Sequence, residues 1–567
     1  MKAAVSLLGL STGLLLAACT SLPESPPNSA AAPADPFPLS PEMELLDRDI
    51  GSEEYRRLLR AQSGNVNVLN AEWQRVAVRG NAESFARENG GADLVQADPA
   101  LRIAYVRRKE IEEKFLAILR EEYAFRKNPA PFDEGATAGA GPKEGPKEGT
   151  ARGDPAIAIE PIFSAPGAER HWPGWRGPGG QGLTADTGLP ERWSPSENIA
   201  WSTEIPGAGN SSPVIWGDRI FLTTSFESGK RRSLVAVSRL DGKVLYVCDA
   251  PASAPEGRVI AKNGFASATP VTDGRIVVAF FGNTGLVAFN FDGKVIWRRP
   301  LGPFDAMHGT GASPVMCGEL VILFQEQSSK PSIGVAVDKR NGQVRWNLER
   351  SPALGWSTPL AVRIGGREEL IYGATNALVS FDPSSGRELW RSSGPTHEVI
   401  PTVVCGHGLI FSASGRVGPM LALRAGGIGD ISASHLVWRS SRGAPHVPSP
   451  ILVGERLYQV NDMGILTCFT ARSGEVLYQK RIGGTFSASP VAGDGKVYIT
   501  SEDGDTTVLA DGPELKVLSV NPLQETTLAS MAVLKKQLFI RTQKHLYAIG
   551  GEGAATRAAA AGAGSGN

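Results

Sequence analysis

The sequence predicts an all-β fold: an eight-bladed β-propeller of four-stranded antiparallel blades, closed by an N-terminal strand and preceded by a small helical segment. Three observations carry this. A proline step followed by a strand, a glycine turn and a second strand recurs from residues 211, 268, 312, 357, 400, 448 and 488, with a degenerate copy at 529. The spacing of ~40–57 residues is that of a propeller blade with inserts. The first six copies are each followed by a strand ending in an aromatic, usually after an Asp-, Asn- or Ser-Gly turn, as in "AVDKRNGQVRW" ending at Trp346. Glycine supplies the positive φ that a tight hairpin needs. Finally, 567 residues are too many for one ordinary core unless the core is a repeat array.

The repeat unit is therefore four antiparallel strands. A single sheet of that kind cannot bury both faces, whereas radial stacking buries them and leaves only short edges. The eighth copy stops at "LYAIGG", before an outer strand. The stretch "NIAWSTEI" at 198–205 has the character of that missing strand and is expected to close the ring. The propeller is assigned to residues 171–550. Ser489, next to Pro490, recurs in kind once per blade, so it is read as fixing the start of an innermost strand rather than as a nucleophile.

Ahead of the propeller, Lys2 and the apolar run from Ala3 to Ala18 end in "LAAC", which resembles the lipobox of bacterial lipoproteins. Residues 1–19 are read as a lipoprotein signal peptide with Cys19 as the lipidated residue. Thr20 follows it rather than an acid, which favours an outer membrane in a cell that has one. Residues 20–41, rich in proline, serine and alanine, read as a disordered tether. Residues 42–128 show helical spacing, with Ile103, Val106, Ile111, Phe115, Ile118 and Leu119 at three- and four-residue steps. Residues 129–170, containing "GPKEGPKEG", read as a flexible linker, and 551–567 as a disordered tail. Lysine plus arginine and aspartate plus glutamate both number 58, which removes the basic excess expected of a nucleic-acid partner.

Export places the mature chain where disulfides form. Cys317 and Cys405 occupy equivalent places in the third and fifth repeats, and Cys248 and Cys468 lie in the first and sixth. None is expected within disulfide reach of another, so four unpaired thiols are predicted. The loops that precede the innermost strands converge on one channel mouth. They supply a candidate binding ring of Asn210, Asn263, His308, Trp356, His397, His446, Phe486 and Thr526. Trp356 and Phe486 are candidates for stacking on a sugar or a peptide side chain. The three histidines are of a type that ligates metals, but they come from separate repeats and no metal site is assigned. The glycine-rich "WRGPGG" from Trp175 reads as a turn-rich strap in preference to an anion nest.

The module seen in Ala336–Trp346, together with the opening "HWPGWRGPGGQGLTADTGLPERWSPSENIAW", resembles the repeat of PQQ-like (pyrroloquinoline-quinone-type) β-propellers over residues 172–550. It is close to an uncharacterised exported subgroup of them. The resemblance implies that the aromatics Trp201, Trp297, Trp346, Trp390, Trp438 and Tyr478 dock neighbouring blades. It also implies two kinds of relative. Quinoprotein dehydrogenases carry an adjacent-cysteine lid and a calcium site of Glu, Asn and Asp. No Cys-Cys pair and no acid cluster stand here, so neither PQQ nor calcium is expected. The lipoprotein of the outer-membrane β-barrel assembly machine is a non-enzymatic scaffold that lacks this chain's helical segment and "WRGPGG" stretch. The reading is a lipid-anchored envelope scaffold, probing the periplasm from the outer membrane and binding envelope proteins through its loops. The alternative is an exported quinoprotein-type oxidoreductase or carbohydrate-active enzyme with its site at the channel mouth.

Overall fold

The computed structural model describes residues 157–551 apart from 253–255, 257, 258, 261, 417 and 442. The signal peptide, tether and helical segment lie outside the described residues, as do most of the linker and all but the first residue of the tail.

Eight antiparallel four-stranded arrays form the ring. The first is made of Val214–Trp216, Arg219–Phe226, Arg231–Ser238 and Val244–Asp249, paired in chain order. Six further arrays repeat that order. The eighth is built from Ala532–Leu534, Gln537–Arg541 and His545–Ile549, and its outermost strand is Ile199–Glu204 from the start of the propeller. Closure by an N-terminal strand thus removes the free end that an open array would leave. The first strands of neighbouring blades approach one another and line the axis.

The serine and threonine of the proline steps form a hydrogen-bonded circle around that axis. The backbone N–H of Ser212 donates to Thr269 Oγ1 (3.0 Å), Thr269 N–H to Ser313 Oγ (3.0 Å) and Ser313 N–H to Thr358 Oγ1 (3.1 Å). On the other side Thr402 N–H donates to Ser449 Oγ (3.0 Å), Ser449 to Ser489 (2.9 Å) and Ser489 to Ser530 (2.8 Å). Ser489 is therefore a link between blades. A hydroxyl suits this position because it is small enough for the crowded axis and accepts the N–H of a strand whose inner edge has no other partner. Two places lack the link. Between blades 4 and 5, Thr402 Oγ1 instead accepts Trp175 Nε1 (2.9 Å). At the seam between blades 8 and 1, Arg541 Nη1 donates to Ser211 Oγ (2.6 Å), Ser211 O (3.1 Å) and Thr223 O (2.9 Å).

In every blade the third and fourth strands slip register once, and in all but the seventh the slip lies next to an aromatic of the outer strand. A bulge turns the side chain of the outer strand toward the neighbouring blade. Cores lie between blades rather than within them. One cluster joins Val214 and Phe221 of blade 1 to Val277 and Phe289 of blade 2, and another joins Ile322 and Trp346 of blade 3 to Leu370 and Tyr372 of blade 4.

Cys248, Cys317, Cys405 and Cys468 are free thiols, the last three buried. Burial pushes the Cys317 thiol up to about 12 and that of Cys468 to about 11, which keeps them protonated and inert.

One segment departs from the sequence expectation. Residues 159–170 belong to the stretch that reads as a flexible linker, yet Ile159–Pro161 is a strand paired with Leu360–Ile364, the innermost strand of blade 4. That strand offers an unpaired edge toward the axis, and a chain passing there is ordered by it. The glycine-rich insert after Arg424 contributes Gly429–Asp430, which pairs in parallel with the outermost strand of blade 4.

Candidate functional site

The two ends of the axial channel are built differently. At the end marked by the turns after the first strands, residues 157–190 thread across the ring. Ala158 O accepts Gly365 N–H (3.0 Å), and Trp172 exchanges two backbone bonds with Ile215. Pro173 O accepts Thr272 N–H (2.8 Å) and Thr184 N–H donates to Ala492 O (3.0 Å). Gln181 Oε1 accepts Cys405 N–H (2.7 Å) and Asp186 Oδ2 accepts Lys536 N–H (3.3 Å). Strands from most of the ring therefore spend their unpaired inner edges on this strap. Gly177 is required in it: φ is +74° and a Cβ would stand 2.6 Å from the Trp172 ring. Arg176 is 1% exposed and donates to Pro450 O (2.8 Å) and Gln181 O (3.0 Å). Burial pushes its guanidinium down to about 9, which leaves it charged at neutral pH. The "WRGPGG" stretch is thus a plug.

The candidate ring residues lie at the opposite mouth, and they divide into two groups. On blades 1–4 they lock one another. Asn210 Nδ2 donates to Lys262 O (3.1 Å) and Asn263 O (2.9 Å), and Asn263 Nδ2 donates to His308 O (3.0 Å) and Thr310 O (3.1 Å). Trp356 Nε1 donates to Gly309 O (2.7 Å) while its ring stacks on His308 at 5.7 Å. Lys262 Nζ reaches Glu502 of blade 7 (2.6 Å). On blades 5–8 the picture is looser. His397 is exposed, while His446 and Thr526 are half-buried. Phe486 is not available for stacking on a ligand: it is 2% exposed, its N–H is held by Asp462 O (3.1 Å), and it packs with Ile451 and Tyr458 in the interblade core.

His446 is the centre of a polar group that composition and spacing did not reveal. Its Nε2 lies 3.6 Å from Glu398 Oε2, beyond hydrogen-bond distance, and Arg416 Nε lies 3.0 Å from the same oxygen. Asp462 Oδ2 accepts the N–H groups of His446 (2.8 Å) and Val447 (3.3 Å). Glu398 has φ +58°, a strained left-handed conformation for a non-glycine residue. Burial lowers the His446 pKa and outweighs the carboxylates of Asp462 and Glu398, which raise it; Arg416 and His397 lower it further. The unfolded chain then takes up the proton more readily than the folded one. Stability is full above the ordinary histidine range near pH 6.5 and falls as pH drops below it. We expect the urea midpoint to fall between neutral pH and about pH 5, and His446→Gln to flatten that slope. Equal slopes in the two proteins would contradict this assignment.

The docking aromatics have a common geometry with two exceptions. Trp201 Nε1 donates to Arg239 O (2.9 Å), Trp297 to Lys339 O (2.9 Å), Trp346 to Pro383 O (2.9 Å) and Trp438 to Ala471 O (2.8 Å), each a turn of the following blade. Each indole also covers that turn's glycine, Gly242, Gly342, Gly386 and Gly474, where a Cβ would sit within 2.7 Å of the ring. Trp390 departs because the next blade carries the insert where that turn would be; its Nε1 donates to buried Glu369 Oε2 (2.7 Å). Tyr478 makes no such bond: its hydroxyl is buried without a hydrogen-bond partner. Its place is taken by Tyr458 on the second strand of blade 6, whose hydroxyl donates to Asp511 Oδ1 (2.7 Å) and accepts Gly512 N–H (3.0 Å).

Among the described residues, no three His, Cys, Asp or Glu side chains gather closely enough to hold a metal ion. No curated protein matches the chain. Similar solved structures include BamB from Moraxella catarrhalis, 14% identical, covering 62% of this chain and 97% of that one with a TM-score of 0.45. Quinohemoprotein alcohol dehydrogenase from Comamonas testosteroni is 10% identical, covers 68% of this chain and 81% of that one, and has a TM-score of 0.50. At these identities the likeness concerns the fold alone. The family described as outer membrane protein assembly factor BamB matches residues 193–303, 250–400 and 424–561, more than half of the chain. With that match lying along a closed eight-bladed ring, the chain belongs to the BamB family of PQQ-like β-propellers.

Proposed function

We propose that the chain is a lipid-anchored scaffold of the cell envelope that binds envelope proteins through the loops at the open mouth of its propeller. In this reading Cys19 carries the lipid and the propeller faces the periplasm from the outer membrane. The family match supports an envelope role, because the matched description is that of an outer-membrane assembly factor. The carrying observation is how the channel is occupied. One end is filled by the chain's own strap, and at the other the amides of Asn210 and Asn263 are spent on backbone carbonyls of adjoining loops. The mouth is a laced surface rather than a preformed cofactor pocket, and a surface suits a protein partner.

The quinoprotein alternative asks for carboxylates and amides converging on a calcium-held quinone. The amides here are engaged, Asp462 holds two backbone N–H groups, and Glu502 is bonded to Lys262 and Ser487. The residues do not fit that group. Cross-linking in the native envelope, followed by identification of the linked proteins, tests the scaffold reading: discrete adducts are expected at the mouth loops. A saturable shift in absorbance and melting temperature on adding PQQ with Ca²⁺, with no adducts, would overturn it in favour of the oxidoreductase.

A further inference from the structure

The mouth is electrostatically uneven. A chain of contacts runs from blade 5 to blade 6. Thr396 Oγ1 donates to Arg416 O (3.0 Å) and Arg416 N–H donates to His397 O (3.1 Å), which places His397 at the surface beside Arg416. Arg416 then meets Glu398, which faces His446; His446 N–H is held by Asp462, and the carbonyl of the next residue, Met463, accepts Arg481 Nη1 (2.7 Å). Arg439 and Lys480 are exposed on the outermost strands of the same two blades.

The signs of these charges are sorted by depth. The carboxylate of Glu398 is only 10% exposed and is covered by Arg416, and Asp462 is turned onto two backbone N–H groups. The cations point outward: the Arg416 side chain is 42% exposed, and Arg481 and Arg439 are exposed, with the imidazole of His397 exposed beside them. Met463 stands among them at 41% exposure as an apolar contact. Glu398 has a left-handed φ, and its carboxylate is turned inward while its neighbour His397 faces solvent. On the adjoining blades 7 and 8 the mouth carries four acids, Glu502, Asp503, Asp505 and Glu525, against two lysines, Lys262 paired with Glu502 and Lys544 beside Glu525.

From this sorting we propose that the sector of blades 5 and 6 formed by His397, Arg416, Arg439, Met463 and Arg481 docks an acidic polypeptide segment bearing an apolar side chain. The proposal rests on the scaffold reading and names the chemistry of its partner. Charge complementarity selects the class. A broad anionic surface, such as a membrane or a nucleic acid, would meet the acidic blades at the same time as the basic ones. A narrow peptide can follow the basic sector alone and place one apolar side chain on Met463.

The test uses the full chain and a short, fluorescently labelled glutamate-rich peptide carrying one leucine, with its glutamine counterpart as control. Binding of the acidic peptide alone, weakening with salt, is expected. Arg416→Glu with Arg481→Glu should lower the affinity about tenfold or more, and Arg439→Glu with Arg481→Glu, both on exposed outer-strand positions, should do so without shifting the unfolding midpoint. Equal binding of the neutral peptide, or wild-type affinity in a folded variant, overturns the proposal. So does binding of phosphatidylglycerol vesicles that these variants abolish while the peptide fails to bind. Envelope cross-links that survive in the Arg439→Glu, Arg481→Glu protein would overturn the sector and leave the scaffold reading intact. If the wild-type protein gives no cross-links, the scaffold reading fails, and the peptide titration still decides the sector.

Discussion

Trp390→Ala should lower the unfolding free energy by about 3–5 kcal/mol, the range for removing a fully buried large aromatic. Trp390 is 0% exposed and packs with Leu360, Ile371, Leu378 and Ile431 in the core that joins blades 4 and 5. The cavity is only part of the loss. Glu369 is itself 0% exposed, and its Oε2 accepts both Trp390 Nε1 and Ser380 Oγ at 2.7 Å. Its other oxygen takes Arg367 Nη2 (2.6 Å) and Nε (2.9 Å). Losing one bond to a buried carboxylate costs about 1.5–3 kcal/mol of net interaction. Trp390→Phe separates the two contributions, because it keeps most of the ring and removes the N–H. Urea unfolding followed by circular dichroism should rank wild type above Trp390→Phe and Trp390→Phe above Trp390→Ala. Should the alanine variant lose less than about 1 kcal/mol, the idea that this indole joins two blades could not stand.

Gly386→Ala should cost about 2–5 kcal/mol, and its control is a second glycine in the same blade. Both Gly386 (φ +71°) and Gly366 (φ +86°) occupy the left-handed region, so alanine at either pays about 1–2 kcal/mol of backbone strain. They differ in surroundings. A Cβ on Gly386 would stand 2.7 Å from Trp346 Cε3, whereas one on Gly366 meets nothing within 4 Å. The indole cannot retreat cheaply, since its Nε1 is tied to Pro383 O (2.9 Å) and its ring is 9% exposed. Overpacking of this kind adds about 1–3 kcal/mol. The difference between the two variants therefore isolates the contact between indole and glycine. Equal losses in Gly366→Ala and Gly386→Ala would mean that strain alone explains the glycine.

Much of the docking was legible in the chain because it is local in each repeat. Glycine and tryptophan stand four residues apart in Gly293–Trp297, Gly342–Trp346 and Gly386–Trp390, and the hairpin carrying them forms from neighbouring residues. What that spacing could not supply is the partner of each ring. Trp346 covers Gly386 of the next blade, not the glycine of its own turn. Trp390 has no such glycine because the insert after Arg424 displaces it, and a buried acid on its own blade accepts the N–H instead. Tyr478 has the same position along the chain as those tryptophans, yet Tyr458 makes the bond to the next turn. The candidate ring was similar. The position of its residues before each first strand was readable, but Phe486 turned into the core, and the loop bearing Lys262 took up Asn210.

By itself the sequence determined how many blades there are, where each begins, and that residues 198–205 must supply the last outer strand. Those properties follow from short-range patterns: alternation, turn glycines and a repeat that cannot dry both its faces alone. It also determined that four cysteines in this register stay apart. Tertiary structure alone decided that the strap fills one end of the channel, that Arg176 meets Pro450, and that Arg541 clamps Ser211 across the seam. It alone sorted the charges of blades 5 and 6 by depth. These contacts join residues separated by 274 and 330 positions, and only closure of the ring brings them together. A linear pattern cannot encode which edge will be left unpaired at the axis, or which carboxylate will be turned away from water.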